Sequence, residues 1–150
     1  MPSSAAGKLP EPERTMTTAE IAASLHEKAI EQLAQAIQAI GAGDIEKRCH
    51  ATNAAVEMIA TLHMALEFDA KNETVDRMGA VYRFVLASLF RVNLQDDDGL
   101  AAQIIEVLRP LADAWRLLAE AGDELSPAML DTGLIGELDK ASKTAEAASL

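Results

Sequence analysis

Between Val81 and Val92 the chain sets Val81, Phe84, Val85, Leu86, Leu89, Phe90 and Val92 around Arg83 and Arg91, which are nearly its only polar interruptions. Read at helical pitch, these side chains do not stay on one face. A helix of a small bundle needs one apolar stripe, and apolar surface beyond that must be covered by something else. The stretch is therefore either the most enclosed helix of its domain or a face offered to a partner.

The rest of the chain favours helix as well. Its hydrophobic content is 49%, with few aromatics, and consists mostly of Ala, Leu, Ile, Val and Met. Proline and glycine are sparse between Thr17 and Ala121, and such a composition predicts an all-α fold. A chain of 150 residues is the size of one domain.

Charge and cysteine content exclude several functions. A formal net charge of −11 argues against nucleic acid and against an anionic membrane surface, both of which call for a basic patch. From Asp96 to Leu150 there are 12 acidic and 4 basic residues, a bias that reads as a solvated face with an acidic tail. Cys49 is the single cysteine, so no internal disulfide and no thiolate metal cluster forms; it falls on an apolar stripe and reads as a buried structural thiol. No apolar run spans a bilayer and no signal-peptide core begins the chain, which predicts a soluble protein of a reducing compartment.

Residues 1–16 hold three of the five prolines and no periodicity, and read as a flexible arm. A bundle domain over 17–121 follows. Thr17 and Glu20 have the spacing of a capping box. Ile21, Leu25, Ala29, Leu33, Ile37 and Ile40 then form a stripe, and Gly41 to Gly43 ends the first helix. Asp44 caps the second helix, whose seam runs Ile45, Cys49, Thr52, Val56, Ile59, His63, Leu66. A break is expected around Asp69 to Asn72. The third helix spans about Thr74 to Leu94, where Asn93 reads as a turn-stabilising side chain. Asp96 to Asp98 open the fourth helix, with Leu100, Ile104, Leu108, Leu111, Trp115 and Leu118 on its seam and Pro110 expected to bend or break it. Four helices with short turns make an antiparallel four-helix bundle. Residues 122–150 read as an acidic tail or a short extra helix, starting at Ser126-Pro127 or lying within Gly133 to Ala148.

Reactive centres are missing from the pattern. No Glu-x-x-His pair supports a di-iron bundle, and His26, His50 and His63 have no carboxylate three positions upstream. No zinc set, phosphate loop or nucleophile elbow is present. A phosphotransfer bundle needs an exposed histidine with small, basic neighbours, which His26 and His50 meet poorly. The reading is a non-enzyme without metal or cofactor, suited to docking another helix through i, i+3, i+4 anchors. A homo-oligomeric structural or adaptor bundle, burying the surplus face of the third helix against its own copy, is the alternative.

Several local patterns resemble one family. Gly43-Asp44-Ile45 opens the second helix, Val81-Tyr82 is followed by Leu89-Phe90-Arg91-Val92-Asn93 and the acidic turn Asp96 to Asp98, and Leu108, Leu111 and Trp115 lie in the fourth helix. In order and spacing these are similar to the flagellar export chaperones of the FliS type, over roughly Ile21 to Ala121. The first helix departs from the family's Leu-Tyr-Asp-Gly-Ala, keeping only Leu25 and Ala29 in Leu25-His26-Glu27-Lys28-Ala29. A Pro- and Glu-rich arm replaces the family's segment before it, a segment that caps the client site in relatives. The resemblance implies a cytoplasmic bacterial chaperone that binds the disordered C-terminal segment of flagellin, masks it against premature polymerisation and holds it for type III export. Other flagellar export or regulatory proteins are further partners it implies. On that reading Met78, Tyr82, Leu89 and Phe90 line the client groove, with Leu25 and His26 beside the arm.

Overall fold

Residues 16–66 and 73–121, together with Lys143, are described by the computed structural model. The arm up to residue 15, the break expected at Asp69 to Asn72, and the segment from Gly122 apart from Lys143, with its expected short helix, lie outside the described residues. Four helices form the described body: α1 (Thr18–Ala42), α2 (Ile45–Leu66), α3 (Glu73–Gln95) and α4 (Asp98–Glu120). The fold is the all-α four-helix bundle expected.

Each described helix end has a local cause. Thr17 caps α1 with its hydroxyl on the Glu20 amide at 3.1 Å, and the Glu20 carboxylate returns to the Thr17 amide at 3.4 Å. At the other end Gly43 adopts φ 69°, its amide reaches Ile40 O at 3.1 Å, and the Asp44 amide reaches Ala39 O at 2.8 Å. This Schellman turn needs a left-handed residue, which glycine supplies without a steric cost. Asp44 then accepts from the Lys47 amide at 3.0 Å and starts α2, as its position predicted. Between α3 and α4 Asp96 takes φ 51°, and Asp97 caps α4 by accepting from the Leu100 amide at 2.9 Å. The Arg48 guanidinium pairs with the Asp96 carboxylate, tying the head of α2 to this turn.

Helix α1 packs along α2 and α4, α2 along α3, and α3 along α4, which leaves α1 and α3 at opposite corners. The six seam residues expected on α4 are all buried. On α1 the buried face is shifted from the expected stripe: Ala19, Ala22, Ala23, His26, Ala29, Leu33, Ala36 and Ala39 face inward, while Ile21 is 46% exposed. The physical reason is that α1 is gripped from two sides, and alanines let both neighbours approach while larger side chains fill the flanks. On α2 Ala51, Thr52, Ala55, Ile59 and Leu62 are buried; Ile45 at the exposed first turn and half-buried Cys49 are not. Pro110 lies inside α4 without ending it. Its missing N–H leaves one carbonyl of the preceding turn without its helical partner, and the buried leucines on either side hold the helix together across it.

Candidate functional site

Helix α3 divides its apolar residues between two environments. Met78, Val81, Tyr82, Val85, Leu89 and Val92 are buried, and Phe84 and Leu86 are half-buried against the core. Phe90 and Leu94 are 70% and 79% exposed. They stand one turn apart, and with Leu86 one turn earlier they make a stripe at steps of four along the outside of the helix. Exposed Arg83 and Arg91 flank it. The surplus apolar surface read from the sequence is therefore real, and it is open.

Of the expected groove residues only Phe90 stands in the open. Met78, Tyr82, Leu89 and His26 are core residues in this structure, 4%, 1%, 0% and 0% exposed, and Leu25 is half-buried. Those four belong to the interior of the bundle, whereas Phe90 faces solvent. Helix α3 continues past Asn93 to Gln95, and the Asn93 Oδ1 is buried without a hydrogen-bond partner; Asp96 and Asp97 form the turn that follows. Leu94 was missed as an exposed anchor, although its position four residues after Phe90 on a helix was signal enough.

Inside the bundle a polar pair links α1 and α3. Nδ1 of His26 lies 2.7 Å from Ala22 O and therefore donates there, which leaves Nε2 as acceptor for the Tyr82 hydroxyl at 2.9 Å. The two rings are tilted by 42° with centroids 5.6 Å apart. Burial pushes the His26 pKa down to about 4, against the smaller opposing effects of the Ala22 carbonyl and the Glu27 charge. Burial also raises the Tyr82 phenol, so both groups are neutral. The Trp115 indole N–H comes near enough to Tyr82 to oppose that rise without completing a hydrogen bond.

On the surface, Arg116 of α4 grips Glu27 of α1 with two bonds, of 3.1 and 2.5 Å, and its hydrogen bond holds the Glu27 carboxyl below the usual carboxylate range. Among the described residues no group of three or more His, Cys, Asp or Glu is arranged to hold a metal, and no helix is long and apolar enough to cross a membrane. The depression beside the α1–α2 turn is lined mainly by polar side chains, including Gln38, Asp44, Lys47 and His50.

What the fold and this surface define is an all-α bundle with an apolar stripe on one helix that no described residue covers. By sequence the chain belongs to the family of the flagellar protein FliS, which it matches over residues 11–122. It is similar to the flagellar secretion chaperone FliS of Bacillus subtilis (strain 168), with 27% identity over 106 residues, covering 68% of this chain and 75% of that protein.

Proposed function

We propose that this chain is a flagellar secretion chaperone of the bacterial cytoplasm that binds the C-terminal segment of flagellin and keeps it from polymerising before type III export. Family membership across the bundle supports the chaperone role, together with the likeness to the flagellar secretion chaperone of Bacillus subtilis. The observation that carries the binding site is the exposed pair Phe90 and Leu94 on α3. Two large apolar side chains one turn apart fit a client that folds into an amphipathic helix as it binds. Phe90 is the principal anchor, with Leu94 and half-buried Leu86 beside it; Met78, Tyr82 and Leu89 hold α3 from within. The function is binding and not catalysis.

Calorimetric titration with the C-terminal segment of flagellin from the same organism tests this. The reading requires binding with a negative heat-capacity change, a gain in helix and little dependence on salt, since apolar burial supplies the affinity. Absence of binding overturns it, and sedimentation then shows whether the stripe is covered by a second copy of the chain.

A further inference from the structure

The outward face of α3 extends beyond its apolar stripe. Exposed Ala80, Arg83, Ala87, Phe90 and Leu94 follow one another at steps of three and four, the spacing of a seam that meets another helix at a shallow angle. Ala80 and Ala87 stand two turns apart, and their small side chains let a second backbone come close.

Two arginines give this seam its charge. Arg83 and Arg91 are exposed, and neither is in an ion pair with any described residue. They stand eight residues apart, a rise of ~12 Å along the axis. Arg83 has a prepared seat. Gly79 lies one turn before it, and a Cβ at that glycine would stand 3.2 Å from Nη1 of Arg83. Glycine is a poor residue for a helix interior; here it leaves room for the guanidinium to lie close against the helix. The two carboxylates of α3, Glu73 and Asp76, both fall in its first turn, and Arg77 holds Glu73 at 3.0 Å. The stretch from Ala80 to Leu94 therefore carries positive charge alone.

We infer that Arg83 and Arg91 select the client: this face takes an amphipathic helix whose apolar edge is bordered by carboxylates two turns apart, and disfavours one bordered by lysines. Apolar contact at Phe90 and Leu94 supplies the bulk of the affinity, and the two arginines decide between candidates. That flagellin supplies this helix rests on the chaperone reading above. The preference is opposite to that expected from the molecule as a whole. A chain of net charge −11 attracts cationic peptides on average. Preference for an acidic helix can come only from charge local to the seam.

Calorimetric titration with two synthetic helical peptides tests this. One carries glutamates two turns apart beside a leucine stripe, and the other carries lysines at those positions. The intact chain should bind the glutamate peptide about tenfold more tightly at low salt, and the ratio should shrink to about threefold in molar salt. Arg83→Glu/Arg91→Glu changes two exposed side chains, so it should leave the melting temperature unchanged and reverse the order of the peptides. Phe90→Asp should weaken both peptides by at least about tenfold. Equal affinity for the two peptides, a preference for lysine, or failure to bind either overturns the inference. So does an order that the arginine variant leaves as it was, or binding that Phe90→Asp leaves unchanged. The C-terminal segment of flagellin separates this failure from that of the chaperone reading. If the intact chain distinguishes the peptides but does not bind the segment, the chaperone reading falls and the acidic preference stands. If the segment binds the intact chain and Arg83→Glu/Arg91→Glu equally well, the chaperone reading stands and selection by the arginines falls.

Discussion

The Tyr82 hydroxyl donates to Nε2 of His26 across 2.9 Å, and the bond runs along the diagonal of the bundle, between helices α1 and α3 that share no packed face. Neighbouring helices are held mainly by broad, non-directional apolar contact, with the surface pair Arg116–Glu27 added between α4 and α1. The diagonal pair is held by one directional bond in a dry interior, where a missing partner is expensive. That bond contributes to how α3 is rotated, and so to which of its side chains point outward.

Tyr82→Phe removes the hydroxyl and leaves Nε2 of His26 buried without a donor, which should lower the unfolding free energy by about 1–3 kcal/mol. His26→Phe together with Tyr82→Phe should cost less than the two single changes added together, by about 1 kcal/mol. Urea denaturation of the four chains measures this. Strictly additive losses would mean that the bond contributes nothing.

Acid should destabilise the bundle through His26. Its pKa is about 4 in the folded chain against an ordinary 6.5, so the unfolded chain binds the proton and the folded one refuses it. The contribution is complete above pH 6.5, declines as pH falls toward 4 and is fully lost below that. The gap corresponds to about 3 kcal/mol. The slope of stability against pH in this window should flatten in His26→Phe, as followed by urea midpoints; an unchanged slope would assign it to other groups.

Phe90→Asp should separate binding from folding. With the ring largely in solvent, stability should change by no more than about 0.5 kcal/mol. Affinity for the flagellin C-terminal segment should fall by at least tenfold, the ~1.4 kcal/mol or more expected of an apolar anchor. A circular-dichroism melt and a calorimetric titration on the same preparation decide it. A large drop in melting temperature would mean that the ring supports the core.

Pro110→Ala should stabilise the protein. The substitution restores a helical N–H in the middle of α4 and relieves the ring's clash with the preceding turn, worth up to ~3 kcal/mol. Thermal unfolding should shift upward. A decrease would show that the surrounding packing is fitted to the proline.

The sequence carried α4 in full, because its large side chains recur on one face and its acidic opening supplies the cap. It carried the ends of α1 equally well, since Thr17, Glu20 and Gly43 act through chemistry that operates within a few residues. The buried face of α1 was harder to read. Alanine is small enough to lie inside or outside, and only the positions of α2 and α4 decide, so the isoleucines drew the stripe to the wrong side. The same limit governs α3. Seven apolar side chains over little more than three turns identify a surplus, but the rotation of the helix, set partly by the His26–Tyr82 bond, determines that Phe90 and Leu94 face out while Tyr82 and Leu89 face in.

The alanine face of α1 also governs where this protein can change. Ala22, Ala29 and Ala36 sit between close-packed helices, and almost any replacement there adds volume that must push a neighbour aside. Ile21, Phe90 and Leu94 stand in solvent and can be exchanged without moving the backbone. Replacement is costly in the interior and cheap at the surface, so the outer face of α3 can drift in sequence while the scaffold beneath it stays fixed.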